Sequence, residues 1–436
     1  MQLPLAAGWA CAVCGAHVDI AVPMSWMCPN ATVLDRHHTP QLVQGIAPLR
    51  GSDDPNPFVA FRSYLAWDSF AAAHGMTEAA RTALVRQVDA DVAAVAGVGF
   101  HVTPFARADA LSDELGFGID GGVWVKDETG QVAGSHKARH LLTILLHLLT
   151  AESMGLVPWR DRSARPPLAI ASCGNAAYAA ATLAAAAAWP IRVFVPVDAD
   201  PVVLAGLADL GADIVECARR SGDPAGDPCI HRFREAVAGG AVPFTVQGPE
   251  NAWCLDGGRT LGWEMARQFE EQVVGPALDR LYVQIGAGTF AASTIAGFKM
   301  SGVMPRLHAV QTDSCAPLER AWVHVRSIGG PSAAAAHWEE CMWPWEHVGR
   351  SAADGILDDE TYDWIPVVRA MGEGNGSPIV VGEDMVLRAN DLARRTTGIN
   401  VSHTGTAGLA GLLSQRSDVA PDERVAVIFS GVSRAA

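Results

Sequence analysis

Basic residues are scarce in this chain, which has 32 lysines and arginines against 47 aspartates and glutamates, for a formal net charge of −15. A nucleic acid or an anionic membrane needs a basic face on its partner, so this balance argues against both. The sequence also lacks an apolar run long enough for a transmembrane helix. The alanine-rich stretch 176–189 is too short to cross a bilayer. Residues 1–9 carry no basic region, so we expect no secretory signal there.

The sequence also lacks the cysteine pattern of a disulfide framework. Its nine cysteines are an odd number and are scattered through segments that pattern as helix and strand. We therefore expect free thiols and a cytoplasmic location. Charged residues make up only 18% of the chain and hydrophobic residues 49%, which excludes a disordered protein. A chain of 436 residues is long enough for two or three domains.

A cysteine cluster stands near the start of the chain. It reads Cys11-x-x-Cys14-Gly, then Cys28-Pro, then His37-His38. Thiolates at the first spacing chelate one tetrahedral zinc ion in zinc ribbons, but the second half of this pattern has a single cysteine. His37 or His38 would have to supply the fourth ligand. The alternatives are therefore zinc on Cys11, Cys14 and Cys28 with one histidine, or free thiols in a small folded lid.

Short apolar runs alternate with helical patterns through the middle of the chain. Leu168–Ala171 and Ile191–Val195 pattern as strands, and Phe244–Val246 closes the set. This alternation indicates right-handed crossovers and parallel sheets, so the predicted fold class is α/β with two doubly wound open-sheet domains. A helical pattern also covers Phe58–Phe70. The expected domains are an N-terminal cysteine-containing segment, a large domain in two pieces and a small mobile domain, at 1–50, at 51–145 with 248–436, and at 146–247.

The segment Lys126–Arg139 contains Lys137, which has features of a reactive lysine. Two glycines and a serine loosen and cap the chain before a strongly helical run, so Lys137 is expected at a helix N-terminus. The positive end of the helix dipole disfavours a cation there, which should lower the pKa of this lysine and leave more neutral amine. A neutral amine can form a Schiff base, although an ordinary solvated lysine gives the same pattern.

Three later segments have the features of a binding site. The run 171–177 passes from strand to helix through Ser172 and Asn175, where free backbone amides can hold a carboxylate. The glycine-rich turn 286–289 follows a strand and precedes a helix, which suits an anion. A buried strand then ends in Ser430. Each segment alone also fits an ordinary helix start, tight turn or strand end.

Together these motifs resemble the tryptophan-synthase-β-like (fold type II) family of pyridoxal-phosphate enzymes, nearest to its threonine synthase and serine or threonine dehydratase branch. The resemblance covers most of the chain from about Thr103 onward. The matching motifs, in the family's order, are Lys126-x-Glu128, Gly134-Ser135-x-Lys137, Ser172-x-Gly174-Asn175, Gly286-x-Gly288 and Ser430.

The resemblance assigns roles to these positions. It implies that Lys137 holds pyridoxal 5′-phosphate as a Schiff base and that Ser430 stands opposite the pyridine nitrogen, both as catalytic residues. The residues implied in cofactor binding are Lys137, Asn175, Gly286, Ala287, Gly288, Thr289 and Ser430. Those implied in binding the substrate carboxylate are Ser172, Gly174 and Ala176. We add His403 as a candidate substrate residue, because a histidine near the cofactor can shuttle a proton, although a core or surface histidine fits as well.

The implied function is a pyridoxal-phosphate lyase acting on an amino acid. It would abstract the α-proton and eliminate a β- or γ-substituent, with or without replacement, as ammonia-lyases, dehydratases and threonine synthases do. A neutral hydroxyl at Ser430 does not force protonation of the ring, which favours loss of a leaving group over transamination. A homodimer is expected by analogy with the family.

Two alternatives remain open from the sequence. One is a cofactor-binding regulatory or scaffold protein that has lost turnover, because Ser402 and His403 stand where the family has Glu and Pro. The other is a nucleotide-binding oxidoreductase. The tryptophan-rich stretch 338–364 has no counterpart in the family pattern, and it would line a substrate entrance or form an oligomer contact.

Overall fold

A computed structural model describes residues 5–45, 48–273 and 278–434. The strands are β1 Ala6–Cys11, β2 His17–Asp19, β3 Pro40–Gln44, β4 Phe105–Arg107, β5 Gly122–Asp127, β6 Leu168–Ala171, β7 Ile191–Val195, β8 Asp213–Glu216, β9 Val242–Pro243, β10 Arg280–Gln284, β11 Arg306–Thr312, β12 Ser377–Val381 and β13 Arg424–Phe429. The helices are α1 Pro57–Ala60, α2 Ala66–Ala73, α3 Glu78–Ala96, α4 Asp109–Glu114, α5 Lys137–Ser153, α6 Asn175–Ala186, α7 Pro201–Asp209, α8 Pro228–Ala238, α9 Trp253–Gln272, α10 Thr289–Met300, α11 Pro317–Ser327, α12 Trp338–Cys341, α13 Trp364–Gly374, α14 Glu383–Thr397 and α15 His403–Ser414.

The chain folds into two compact units. Unit 1 comprises the residues up to His101, the short piece Gln131–Ala133 and Lys137–Thr260. Unit 2 comprises Val102–Gly130, Gly134–His136 and the residues from Leu261 onward. The boundaries 1–50, 51–145 with 248–436, and 146–247 that the sequence suggests stay a prediction.

Unit 1 contains two sheets. One is a small antiparallel sheet in the order β2-β1-β3, and the other is a parallel sheet in the order β8-β7-β6-β9. The predicted strands Leu168–Ala171 and Ile191–Val195 are present with those bounds. The closing strand, however, lies at Val242–Pro243 rather than at Phe244–Val246. The Asn251 side chain donates to the Pro243 carbonyl at 2.6 Å. This bond occupies a backbone acceptor at the last residue of β9.

The helix predicted at Phe58–Phe70 is broken in unit 1. Leu65 is extended, with φ −73° and ψ 139°, and α2 begins only at the next residue. The Asp256 carboxylate accepts from the backbone N–H of Ala66 at 2.8 Å and of Trp67 at 3.1 Å. A carboxylate that is distant in the sequence therefore caps α2 and fixes where it starts.

Unit 2 is built on one sheet in the order β12-β11-β10-β13-β5-β4. Its strands are parallel except for β4, which pairs antiparallel with β5. Residues 425–429 of β13 are all buried, as expected for a central strand covered on both faces. The predicted α/β class with open, mainly parallel sheets is confirmed. None of the described helices combines the length and the apolar character that crossing a membrane requires.

The tryptophan-rich stretch 338–364 contributes to the core of unit 2. Trp338 and Trp364 are buried and meet edge to face, with ring centroids 5.5 Å apart. The Arg320 guanidinium lies 3.8 Å from the ring centroid of Trp343 and 4.9 Å from that of Trp345. These contacts give the stretch a packing role. Its expected role at a substrate entrance or an oligomer contact stays a prediction.

Three buried histidines make the fold sensitive to acid. Burial lowers the pKa of His140 and of His147 to about 3 and that of His308 to about 4. In the unfolded chain these groups titrate near 6.5, so the native state holds them neutral where the unfolded state is protonated. Their contribution to stability is complete above about pH 6.5 and is lost as the pH falls, by about 1.4 kcal/mol per pH unit for each histidine.

We therefore expect the urea midpoint of unfolding to fall clearly between about pH 7 and about pH 5.5. His147→Gln should reduce this dependence, because a glutamine oxygen can still accept from the Met24 N–H that now donates to His147 Nε2 at 3.1 Å. His347→Gln, at an exposed histidine, is the matched control and should leave the dependence unchanged. Equal slopes in all three proteins would contradict the assignment.

Candidate functional site

Several predicted segments of unit 2 lie at one edge of its sheet. Strands β10, β13 and β5 are parallel neighbours, so their carboxyl ends share that edge. β10 leads into the turn 286–289, β13 ends one residue before Ser430, and β5 leads into the loop before Lys137. Ligands of open α/β sheets bind at this edge.

The loop before Lys137 is held against the end of the chain. Ser135 forms an antiparallel bridge with Gly431, and the His136 N–H donates to the Ser430 carbonyl at 3.1 Å. The His136 ring also makes a hydrogen bond with that carbonyl, at 3.0 Å from Nδ1, and stacks on Phe290 with 4.0 Å between centroids. His136 is therefore fixed by backbone and side chain, both within unit 2.

Lys137 follows His136 directly and is the first residue of α5, as the sequence predicts. The two residues before Ser135 make the entry possible. Ala133 has φ 55° and Gly134 has φ 67°, so the chain turns through two successive left-handed residues. A Cβ on Gly134 would come within 2.6 Å of Val432 Cγ1, so glycine is required on steric and conformational grounds. The Lys137 side chain is half-buried in unit 1.

Ser430 is buried and bonded to a residue that the sequence did not reveal. The Gln284 side-chain amide donates to Ser430 Oγ at 2.5 Å and also to the carbonyls of Gly405 and Ile428. Because Ser430 Oγ accepts this bond, its own hydrogen is available to donate. A hydroxyl donor would suit the unprotonated pyridine nitrogen that the sequence resemblance places opposite Ser430. Unlike a carboxylate, a hydroxyl would not protonate that nitrogen. The signal for Gln284 was a polar residue that directly follows the apolar run Leu281–Val283 of β10.

The glycine turn after β10 ends in a helix without a side-chain cap. Gly288 is the N-cap residue of α10, has φ 91° and is left-handed, and as a glycine it has no side chain that could cap the first turn. A Cβ on Gly286 would collide with a carboxylate oxygen of Asp358, and one on Gly288 would come within 2.9 Å of Thr361 Cγ2. Left-handed Gly288 therefore needs glycine, whereas a side chain at position 286 would require the Asp358 carboxylate to move, and the N-terminus of a twelve-residue helix favours an anion.

Acidic groups also lie beside this turn. The Thr289 hydroxyl donates to the Asp363 carboxylate, and the Asp363 N–H donates to the Ala287 carbonyl at 2.8 Å. These bonds fix the turn against the segment 356–363. The Asp358 carboxylate near Gly286 opposes an anion, whereas the helix dipole and the backbone donors favour one.

In unit 1, the segment predicted to bind a carboxylate lies at the carboxyl end of β6. α6 begins at Asn175, and its N-cap residue Gly174 supplies no side-chain bond. Ser172 Oγ accepts from the Gly174 N–H at 3.3 Å, so its hydrogen remains able to donate outward. Ala176 is buried in the first turn of α6. The geometry matches the anion site expected at a parallel strand end.

His403 is the first residue of α15 and is half-buried in unit 2. Its neighbour Ser402 is the N-cap residue, and Ser402 Oγ accepts from the Gly405 N–H at 3.0 Å. The departure from the family pattern at Ser402 thus has a structural reason, because serine is among the best N-cap residues. The predicted role of His403 near the substrate stays a prediction.

The three predicted metal ligands meet one of the two candidate histidines. Cys11, Cys14, Cys28 and His38 form a cluster in unit 1 in which all the ligand atoms lie within 4.8 Å of one another. The sequence had left His37 and His38 as alternatives, and the geometry selects His38.

A further buried group, the Lys126 ammonium, has a structural role in unit 2. Lys126 Nζ donates to Glu264 at 2.6 Å, to the Thr103 carbonyl at 2.8 Å and to the Gln268 side chain at 3.0 Å. The side chains of Lys126 and Glu264 are both completely buried. The three bonds match the three donors of an ammonium group.

Comparison with known proteins gives both a family and a fold. A family model described as "Pyridoxal-phosphate dependent enzyme" matches residues 98–431, and no curated protein matches the chain. Similar solved structures include diaminopropionate ammonia lyase from Escherichia coli in complex with an aminoacrylate-PLP azomethine reaction intermediate, at 16% identity and a TM-score of 0.61 over 81% of this chain and 88% of that chain.

Two further solved structures are similar over almost the same length. Threonine deaminase isoform 2 from Solanum lycopersicum has 16% identity and a TM-score of 0.58 over 82% of this chain and 90% of that chain. Serine racemase from Dictyostelium discoideum has 16% identity and a TM-score of 0.58 over 81% of this chain and 99% of that chain. At these identities the similarity shows the fold, which is the one that the sequence resemblance implied.

Proposed function

The chain belongs to the pyridoxal-phosphate dependent enzyme family, and from this premise we propose that it is a lyase acting on an amino acid. It would remove the α-proton and eliminate a β- or γ-substituent, with or without replacement. When bound, the cofactor supplies an aldehyde that holds the amino acid and a conjugated ring that accepts the negative charge formed at the α-carbon. The residues proposed to hold it are Lys137, Asn175, Gly286, Ala287, Gly288, Thr289 and Ser430.

The observation that carries this proposal is the small number of lysines. The chain has three: Lys126, Lys137 and Lys299. Lys126 is completely buried and its ammonium is bound to Glu264, so it is not a nucleophile. Lys299 is exposed and pairs with Glu373 at 2.7 Å. Lys137, at the start of α5, is left as the lysine for the cofactor aldehyde.

The features of the other proposed positions support the same cofactor. The glycine turn before α10 has left-handed Gly288 and leads into a helix N-terminus, which fits a phosphate group. Ser430 offers a hydroxyl donor fixed by Gln284, which fits a neutral ring nitrogen. Both are in unit 2, and the loop that ends at His136 is bonded to Ser430.

We propose that Lys137 Nζ takes the α-proton and returns it to the substrate or to the leaving group. The start of α6, with Ser172 Oγ and the N–H groups near Gly174 and Ala176, would hold the substrate carboxylate and so orient its α-hydrogen. A Ser430 hydroxyl that donated to the ring nitrogen of the bound cofactor without protonating it would leave less negative charge stored in the ring. Departure of a good leaving group from the neighbouring carbon is then the favoured outcome.

The experiment is a screen of the purified protein, loaded with pyridoxal phosphate, against serine, threonine, hydroxyaspartate, diaminopropionate and phosphohomoserine. Release of ammonia and an oxo acid without a second substrate supports elimination, and release of phosphate from phosphohomoserine supports threonine synthesis. Conversion of one enantiomer into the other with neither product would replace the lyase proposal by a racemase. No α-proton exchange in heavy water with any substrate would favour the regulatory or scaffold alternative.

The homodimer and the cytoplasmic location remain proposals made by analogy and from the cysteine pattern. Zinc is proposed as a second, separate cofactor for the cluster that contains Cys11, Cys14 and Cys28.

A further inference from the structure

The cysteine cluster of unit 1 has the dimensions of a metal site. Cys14 Sγ lies 3.5 Å from Cys28 Sγ, and Cys11 Sγ lies 3.4 Å from His38 Nδ1. In a tetrahedral site with Zn–S bonds of about 2.3 Å, two sulfur ligands lie about 3.8 Å apart. A disulfide would need about 2.0 Å between the sulfur atoms, so the observed spacing is that of separate ligands. Three thiolates and one imidazole are a regular donor set for structural zinc.

The two cysteine loops are shaped for this purpose by the backbone. After Cys11, the chain turns through Gly15, which is left-handed at φ 70° and donates its N–H to the Cys11 carbonyl at 2.9 Å. The second loop turns at Cys28, whose carbonyl accepts from the Ala31 N–H at 3.0 Å. The Asn30 side chain donates to Cys14 Sγ at 3.4 Å, a bond that favours the thiolate form.

His38 has a carboxylate near its other ring nitrogen. Nδ1 faces Cys11 Sγ, and Nε2 lies 3.5 Å from the Asp35 carboxylate. Histidines that bind metal commonly direct their second N–H to a carboxylate, which fixes the tautomer and raises the basicity of the ligand. Asp35 is itself held, because its other oxygen accepts from the His37 N–H at 3.1 Å.

We propose that Cys11, Cys14, Cys28 and His38 bind one zinc ion through three sulfur atoms and Nδ1. This site is independent of the proposed reaction. Its four ligands come from the end of β1, from both cysteine loops and from the segment just before β3. The strands of this antiparallel sheet have only six, three and five residues, so a metal that joins these pieces would add to the stability of the sheet.

The loop between the two cysteine turns is hydrogen-bonded to helices of unit 1, so the proposed metal site is connected to those helices. In that loop, the Met24 N–H donates to His147 Nε2 of α5 at 3.1 Å, and the Ser25 carbonyl accepts from Trp253 Nε1 of α9 at 2.8 Å. The Trp26 carbonyl accepts from the Ala252 N–H at 2.7 Å. Zinc therefore holds closed a loop that is bonded to α5, the helix that begins at Lys137.

The test is the metal content of the full-length protein purified without chelator, measured by inductively coupled plasma mass spectrometry. We expect one zinc ion per chain in the wild type. The matched controls are His37→Ala, next to the proposed ligand, and Cys173→Ser, at an exposed cysteine outside the cluster. Both should keep one zinc ion, whereas His38→Ala and Cys14→Ser should lose it.

A cobalt-loaded protein keeps the proposal testable if the alanine variant does not fold. Cobalt in the wild type should give the intense visible bands of tetrahedral coordination with sulfur charge transfer, and His38→Cys should keep the tetrahedral bands with stronger charge transfer. Asp35→Asn should lower zinc affinity by about tenfold or more in a chelator competition.

Three results would overturn the proposal. One is a reduced wild-type protein that binds neither zinc nor cobalt. Another is a disulfide between Cys14 and Cys28 in freshly purified, metal-free protein. The third is a His38→Ala variant that folds and still keeps one zinc ion.

Discussion

Replacing Lys137 with alanine should abolish turnover and remove the absorption that a Schiff base gives near the visible edge. The same amine is proposed to hold the cofactor and to move the α-proton, so its loss removes two functions together. We expect activity to fall by about a thousandfold or more, with the fold retained, because the side chain is only half-buried. Steady-state rates, the visible spectrum and circular dichroism of the variant test this expectation.

The control for this variant is Lys299→Ala, which removes an exposed lysine that is paired with Glu373. It should leave both the spectrum and the rate unchanged. Borohydride reduction of the loaded wild type, followed by peptide mass mapping, should place the cofactor on the peptide that contains Lys137. A label on Lys126 or Lys299, or an unchanged spectrum in Lys137→Ala, would contradict the assignment of Lys137 as the residue that holds the cofactor.

The largest expected effect on stability comes from Lys126→Met. This change leaves the Glu264 carboxylate buried, without the ammonium that lies 2.6 Å away. Breaking a buried ion pair from one side costs about 3–5 kcal/mol, because the remaining buried charge loses its counter-ion. We expect a corresponding loss in the free energy of unfolding, measured from urea or thermal denaturation curves.

The double variant Lys126→Met with Glu264→Leu tests whether the lost stability comes from the Glu264 carboxylate or from other effects of replacing Lys126. If the loss comes from the orphaned carboxylate, the second change should restore much of the stability. The control is again the exposed pair, since Lys299→Met should cost about 1 kcal/mol or less. A Lys126→Met protein as stable as the wild type would show that Glu264 finds another partner or is not charged.

Strands were predictable where most of their residues are apolar and buried. Leu168–Ala171 and Ile191–Val195 are short, mainly apolar runs in which Arg192 is the one charged residue, and each has the predicted bounds. The start of α5 at Lys137 was predictable as well, because glycine and serine precede a long apolar helix. Local chemistry decided these elements.

Features that depend on distant residues were not predictable from local patterns. The apolar period of Phe58–Phe70 favours one helix, but Asp256 caps the chain at Ala66 and breaks it. Gln284 could not be connected with Ser430 from the sequence, because the two residues are 146 positions apart and meet only through strand order. The choice between His37 and His38 likewise depended on a fold that turns one ring towards Cys11.

The scarcity of lysine also determines how the protein can be attached to dyes and surfaces. Amine-reactive esters can modify the chain at Lys126, Lys137, Lys299 and its α-amino group. Lys126 is completely buried, and a bound cofactor would block Lys137. Mild acylation of the loaded protein should then place a reporter at Lys299 on α10, with little competition from other side chains. A tether at the α-amino group or at Lys299 would leave the residues proposed for the chemistry of the protein unmodified.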